Sequence, residues 1–199
     1  MFTGIVQAVG RIEKLNPLQV ATGRLPLAGV RIGDSICVQG ACLTVTRKGK
    51  GKLWFDLSRE TLRVSAGLNR PGEVNLEKSL AFGDKIGGHL VTGHVDGVGQ
   101  VVKKNKGEIT VKTLRALARY IARKGSVCID GVSLTVNRVK RDTFEVNLIP
   151  HTLKVTTLGR LAAGDKVNLE VDLLARTMER LLAGYGRQGG RFRSVRSAR

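Results

Sequence analysis

A chain of 199 residues with 42% hydrophobic side chains is long enough for one sizeable core or for two of about 90 residues each, and too apolar for general disorder. No apolar run approaches the roughly 18 residues of a membrane span, and the start, Met1-Phe2-Thr3-Gly4-Ile5-Val6, has no basic stretch leading into an apolar one; a soluble, cytoplasmic protein is expected. The net charge of +18 permits polyanion binding, but with 4% aromatic residues and no aromatic-plus-basic stacking motif the sequence argues against nucleic acid recognition.

Taken in order, the chain repeats itself. Phe2-Thr3-Gly4-Ile5-Val6 returns as Val91-Thr92-Gly93-His94-Val95, and Val9-Gly10-Arg11-Ile12 as Val98-Gly99-Gln100-Val101. Val38-Gln39-Gly40-Ala41-Cys42-Leu43-Thr44-Val45 aligns without a gap on Ile129-Asp130-Gly131-Val132-Ser133-Leu134-Thr135-Val136, 91 residues later. Glu60-Thr61-Leu62-Arg63-Val64 matches His151-Thr152-Leu153-Lys154-Val155. Gly72-Glu73-Val74-Asn75-Leu76-Glu77 matches Gly164-Asp165-Lys166-Val167-Asn168-Leu169-Glu170. Blocks in one order at nearly one offset mark an internal duplication.

Each copy reads mainly as short strands. Alternating β-branched and apolar residues predict strands over 35–38, 43–46 and 53–57, then over 127–129, 133–139 and 143–148. Lys48-Gly49-Lys50-Gly51-Lys52 and Lys103-Lys104-Asn105-Lys106-Gly107 read as hairpin turns. So many short strands in so little chain favour a small closed barrel per copy. The exception is 114–124, where Leu114, Leu117, Ala118 and Ile121 predict a helix that Gly125 ends. The copies divide near 83–88. Beyond the second, Leu174, Met178, Leu181 and Leu182 recur at helical spacing. That stripe either packs back on the barrels or joins the helices of separate subunits. Residues 184–199 carry five arginines and no acid, and read as a flexible, solvated tail.

Three cysteines without C-x-x-C spacing give neither a disulfide framework nor a zinc site. Cys37 and Cys128, equivalent in the repeat, read as core residues. His89, His94 and His151 lack metal-ligand spacing, so no metal is expected. No glycine-rich phosphate loop opens a helix. What remains is the set of positions where the copies differ chemically. Cys42 stands where the second copy has Ser133, and Ile5 where it has His94. His94 is either a general acid or base or a half-exposed polar residue. Cys42 and Ser133 are either reactive centres or satisfied strand residues, since no hydrolase nucleophile motif surrounds them. Asp130 before Gly131 is equally suited to a turn. Thr44 and Thr135 lie two residues on, on the same strand faces as Cys42 and Ser133. The resulting polar clusters suit a planar heterocycle.

Met1-Phe2-Thr3-Gly4-Ile5-Val6, Gly40-Ala41-Cys42-Leu43-Thr44-Val45, Gly87-Gly88-His89-Leu90-Val91-Thr92-Gly93-His94-Val95, Asp130-Gly131-Val132-Ser133-Leu134-Thr135-Val136 and Ile149-Pro150-His151-Thr152-Leu153 together resemble riboflavin synthases of the α-chain type. The resemblance covers about residues 1–183. It implies an all-β fold: two tandem, similar six-stranded antiparallel β-barrels from internal duplication, plus a C-terminal α-helix. The corresponding division is 1–86 and 87–172 for two lumazine-binding barrels, 173–184 for a trimerisation helix and 185–199 for a basic flexible tail. The implied reaction is a dismutation in which two molecules of 6,7-dimethyl-8-ribityllumazine exchange a four-carbon unit, giving riboflavin and 5-amino-6-ribitylaminouracil without metal or redox cofactor. The implied assembly is a homotrimer, its active site formed where the first barrel of one subunit faces the second barrel of another. A lumazine synthase partner is compatible with the resemblance.

Carried over position by position, the first barrel would hold its pteridine with Gly4, Ile5, Val6, Cys42, Leu43, Thr44, Asp56, Leu57, Ser58, Arg59, Glu60 and Thr61. The second would use Gly93, His94, Val95, Ser133, Leu134, Thr135, Asn147, Leu148, Ile149, Pro150, His151 and Thr152, with Lys124 nearby. Ser133, Cys42 and His94 would activate or protonate the reacting centres, with Thr135 and Asp130 orienting them. Gln39 departs from the family's usual Asn. A non-catalytic lumazine or flavin carrier of the same fold and a basic RNA-binding barrel are the rival readings. Retention of both Cys42 and Ser133 favours the enzyme.

Overall fold

The computed structural model describes residues 1–187. The first copy forms β1 (Ala8–Leu15), β2 (Leu18–Ala21), β3 (Ser35–Val38), β4 (Ala41–Gly49), β5 (Lys52–Phe55), the short helix α1 (Arg59–Val64) and β6 (Gly72–Lys78). The second forms β7 (Gly97–Asn105), β8 (Glu108–Lys112), the single turn α2 (Arg115–Ala118), β9 (Ser126–Ile129), β10 (Val132–Lys140), β11 (Thr143–Asn147), α3 (Pro150–Val155) and β12 (Lys166–Val171). A final helix, α4 (Leu173–Arg187), follows. Strands β1-β2-β5-β4-β3-β6 close one antiparallel barrel, and β7-β8-β11-β10-β9-β12 close the other in the same order. Closure leaves neither sheet with a free edge. Even the irregularities repeat: the register shifts at Ile12/Lys14 and Val45/Arg47 recur at Val101/Lys103 and Val136/Arg138.

Alternation fills each barrel. Along β4, Leu43 and Val45 point inward while Thr44 and Thr46 face out, and β10 repeats this with Leu134, Val136 and Thr135. Ile12, Val20, Leu53 and Phe55 complete the first interior; Val111, Phe144, Val167 and Leu169 complete the second. Each such buried side chain contributes about 1.5–3 kcal/mol. A third, smaller cluster of Phe2, Cys37, Val91 and Cys128 lies between the barrels, so both equivalent cysteines are core residues.

Strands β6 and β12 break the alternation. Val74, Asn75, Leu76 and Glu77 are all buried, as are Val167, Asn168, Leu169 and Glu170. One face of each strand fills its own barrel and the other meets the second barrel across a seam with approximate twofold symmetry. Asn75 Nδ2 donates to the Asp130 carbonyl and Asn168 Nδ2 to the Gln39 carbonyl, each at 2.8 Å. Asn75 N–H donates to Gln39 Oε1, and Asn168 N–H to Asp130 Oδ1. The side-chain oxygens of the two asparagines accept from Thr157 and Ala66 N–H. Polar strand residues are thus buried with partners.

Two expectations need correction. The helix predicted over 114–124 is only the four-residue α2, and Gly125 does not end it. Leu114 offers no side-chain cap, and one turn nucleates poorly. Arg119 and Tyr120, just beyond, donate to the Glu179 carboxylate on α4, a tertiary tie that outweighs helical spacing. Helix α4 in turn runs to Arg187, past the expected end at 184. Residues 188–199 of the predicted tail lie outside the described residues. The apolar stripe of α4 does not pack back on the barrels: Leu174, Met178, Leu181 and Leu182 are 54–63% exposed. The polar face does the docking, with Arg176 gripping Asp96 at 2.6 Å.

Candidate active site

The residues preceding each barrel do not stay with it. Phe2 and Val91 exchange N–H···O bonds of 2.7 and 3.0 Å, and from this bridge each segment continues over the other barrel. The Gly4 carbonyl accepts the Ser133 N–H at 2.8 Å, and the Gly93 carbonyl accepts the Cys42 N–H at 2.8 Å. Contact is so close that a Cβ on Gly4 or Gly93 would lie 2.6 Å from the Cβ of Ser133 or Cys42. Both glycines have positive φ, +75° and +78°, a conformation open to glycine at little cost. The sequence-based grouping is therefore reversed at these segments. Gly4, Ile5 and Val6 belong with Ser133, whereas Gly93, His94 and Val95 belong with Cys42. A repeat cannot distinguish exchanged from unexchanged segments, because both arrangements match the same blocks.

Ser133 is the better equipped of the two centres. Its Oγ lies 2.7 Å from His89 Nδ1. Gly88 passes so close that its Cβ would meet Ser133 Oγ at 2.8 Å. Burial pushes His89 below its ordinary range, against the opposing effect of Asp172. A neutral imidazole against a hydroxyl can take its proton; that role requires the tautomer with Nδ1 free to accept. His89 Nε2 is buried without a hydrogen-bond partner among the described residues. Comparison of the two copies does not single out His89, because no residue of the first copy aligns with it. The one available signal was the paired glycine approach, Gly87-Gly88-His89.

Around Ser133, Thr135 is exposed on the same face, while Leu134 and Leu148 turn into the core. Asn147 ends β11, Ile149 is exposed, Pro150 begins α3 with His151 exposed behind it, and the Thr152 carbonyl accepts from Thr156 Oγ1. Lys124 is exposed, at φ 68°, with its N–H on the Val136 carbonyl. The Cys42 side has the same plan. A cleft of about 290 Å³ is lined by Cys42, Glu60, Thr61, Gly93, His94 and Val95. Ser58 caps α1 by accepting the Thr61 N–H, and Glu60 is held by Arg63 at 2.6 Å. Leu43 points into the core, and Leu57 packs against it. Asp56 and Arg59 are exposed, as is Thr44.

Asp130 does not join the Ser133 cluster. The residue is 2% exposed, and its carboxylate accepts the Asn168 N–H within its own barrel, while its backbone carbonyl takes Asn75 Nδ2 across the seam. Burial pushes it from 3.8 to about 7, against Asn168 N–H and the Gln39 side chain. The folded protein therefore keeps a proton that the unfolded chain releases near pH 4. Stability is then greatest below pH 4 on this group's part and falls as pH rises toward 7, by about 4 kcal/mol. Unfolding midpoints at pH 5 and pH 8 should differ accordingly, and Asp130→Asn should flatten that difference. Glu77 and Glu170, also raised by burial, act in the same direction and leave a residual slope.

Comparison with known proteins bears on the fold and the family. The lumazine binding domain model matches twice, at residues 3–79 and 92–172. The structure of LumP complexed with riboflavin superposes with a TM-score of 0.78 at 27% identity, covering 86% of this chain and 99% of that one. LumP complexed with 6,7-dimethyl-8-(1'-D-ribityl) lumazine gives 0.74 at 26% identity, with the same coverage. The two matches and the two closed barrels define a twin-barrel protein built of two lumazine binding domains. The riboflavin synthase of Brucella abortus (strain 2308) is 44% identical over 198 residues, spanning 91% of this chain and 98% of the relative. That of Mycobacterium tuberculosis (strain ATCC 25618 / H37Rv) is 43% identical over 202 residues, 94% of this chain and the whole relative. The chain belongs to the riboflavin synthase family.

Proposed function

We propose that this chain dismutes 6,7-dimethyl-8-ribityllumazine to riboflavin and 5-amino-6-ribitylaminouracil, binding one lumazine at the Ser133 site and another at the Cys42 site. The observation that carries the reading is the pair of sites built to one plan around two different centres. Two identical lumazines sum to the two products atom for atom, so the exchange needs no external oxidant or reductant. Loss of a 7-methyl proton gives a delocalised carbanion, and a nucleophile adding at C7 of the other lumazine makes it the acceptor. Ser133, with its proton taken by His89, supplies that activation at one site; Cys42 and His94 serve the other. Thr135 and Thr44 meet the ring or ribityl edge, as do the backbone groups of 4–6 and 93–95. Asp130 acts at a distance, through the seam. Holding two lumazines in one relative orientation supplies much of the rest.

The domain division that accompanies this reading is 1–86 and 87–172 for the barrels, followed by an assembly helix and a basic tail. The exposed stripe of α4 supports a homotrimer joined through that helix, which brings a Ser133 site and a Cys42 site of different subunits face to face. Leu181→Asp, on the stripe, is expected to convert trimer to monomer in sedimentation velocity. Turnover should fall with assembly while the monomer's unfolding midpoint stays within a few degrees.

The deciding assay incubates the purified protein with 6,7-dimethyl-8-ribityllumazine alone. One riboflavin formed per two lumazines consumed supports the reading. Tight binding without turnover would make the chain a lumazine or flavin carrier instead.

A further inference from the structure

Two buried glutamates stand behind the crossed segments, and the reaction scheme above uses neither. Glu77 Oε1 accepts from Thr3 N–H and Thr3 Oγ1, each at 2.8 Å, while Oε2 accepts from Gly4 N–H at 3.0 Å. Glu170 repeats this on the other segment: Oε1 accepts from Thr92 N–H and Thr92 Oγ1 at 2.7 Å, and Oε2 from Gly93 N–H at 2.9 Å. Both are almost fully buried, at 4% and 3% exposure. A buried carboxylate is costly unless its oxygens are occupied, and here both oxygens of each are spent on one Thr-Gly pair. The opposite edge of that pair is what reaches the site, since the Gly4 carbonyl takes Ser133 N–H and the Gly93 carbonyl takes Cys42 N–H.

We infer that Glu77 and Glu170 are positioning residues wired crosswise: the first barrel's Glu77 sets the geometry of the Ser133 site in the second barrel, and Glu170 sets that of the Cys42 site in the first. The inference rests on the proposed reading of those sites as lumazine sites. Each carboxylate fixes the height and tilt of a backbone strip whose next residues, Ile5-Val6 or His94-Val95, border the bound ring. Glutamine cannot substitute. Its amide presents one oxygen and one NH2, so at least one N–H of the Thr-Gly pair is left facing another donor.

The test is titration of the full-length protein with 6,7-dimethyl-8-ribityllumazine, following ligand fluorescence, for Glu77→Gln and Glu170→Gln alone and combined with Ser133→Ala or Cys42→Ala. Each glutamine variant is expected to weaken one of two sites by at least about tenfold and to leave the other unchanged. Glu77→Gln should be non-additive with Ser133→Ala and additive with Cys42→Ala; Glu170→Gln should show the reverse. A carboxylate serving only general stability would weaken both sites alike, or neither, and that result overturns the inference. So does coupling within a barrel, Glu77 with Cys42. Should a glutamine variant fail to fold, Thr3→Val and Thr92→Val, which delete one donor each at nearly constant volume, carry the same crossed pattern at smaller amplitude. Wild-type protein that binds no lumazine would overturn the functional reading itself, whereas binding with additivity in every combination overturns the crosswise wiring alone.

Discussion

Gly93→Ala is expected to cost about 3 kcal/mol or more of stability, or else to empty the Cys42 site. The added methyl would lie 2.6 Å from Cys42 Cβ and 2.8 Å from its backbone nitrogen, at a residue held at φ +78°. Two penalties combine: the left-handed conformation, at about 1–2 kcal/mol for an L-residue, and a collision with backbone that cannot swing aside. If the segment stays in place, the melting temperature should fall by roughly 6–12 °C. If it lifts off instead, the Gly93–Cys42 bond breaks and lumazine affinity collapses at one site with the melting point nearly preserved. Gly51→Ala is the control. Its φ is +67° with nothing within 4 Å, so only the conformational penalty applies. Calorimetry and ligand titration on both variants separate these outcomes.

Ser133→Ala and His89→Gln should each lower turnover by about 10²–10⁴-fold, the usual range for a lost general base or its partner. The double variant should be little worse than either single one, because the 2.7 Å Oγ–Nδ1 contact makes them one unit. Their pH behaviour differs from wild type in a defined direction. Burial holds His89 below the ordinary imidazole range, which favours the neutral, proton-accepting form. Wild-type rate should therefore fall on the acid side of an ordinary histidine's titration, and that acid limb should be missing in His89→Gln. An unchanged acid limb in the variant would assign it to another group and remove His89 from the base role.

The duplication, the β-rich copies and the stripe on the last helix were all legible, because each is a local pattern of side chains repeated at a fixed offset. Cys42 and Ser133 stood out as equivalent places that carry different chemistry, each followed by the same Leu-Thr-Val. The exchange of leading segments was not legible: Phe2-Thr3-Gly4 and Val91-Thr92-Gly93 match each other whichever barrel they cover. His89 has no counterpart to be compared with. Glu77 and Glu170 were visible as a repeated acid after Asn-Leu, but an acid at a strand end ordinarily reads as exposed. Only the second burial face of β6 and β12 reveals otherwise. Helical spacing over 114–124 misled because Leu114 is 52% exposed and the chain is drawn off toward Glu179.

The seam of paired asparagines bears on how one chain can carry two sites of different chemistry. Its bonds run in reciprocal pairs, Asn75 to Asp130 and Asn168 to Gln39, as they would between two separate copies of a single barrel related by a rotation axis. In such an ancestor every substitution would appear twice, and both sites would be forced to remain alike. Joining the copies end to end freed each from the other. Cysteine could settle at one centre and serine at the other, and glutamine could face aspartate across the axis. Cysteine at one centre and serine at the other is a division of labour that two identical chains could not have.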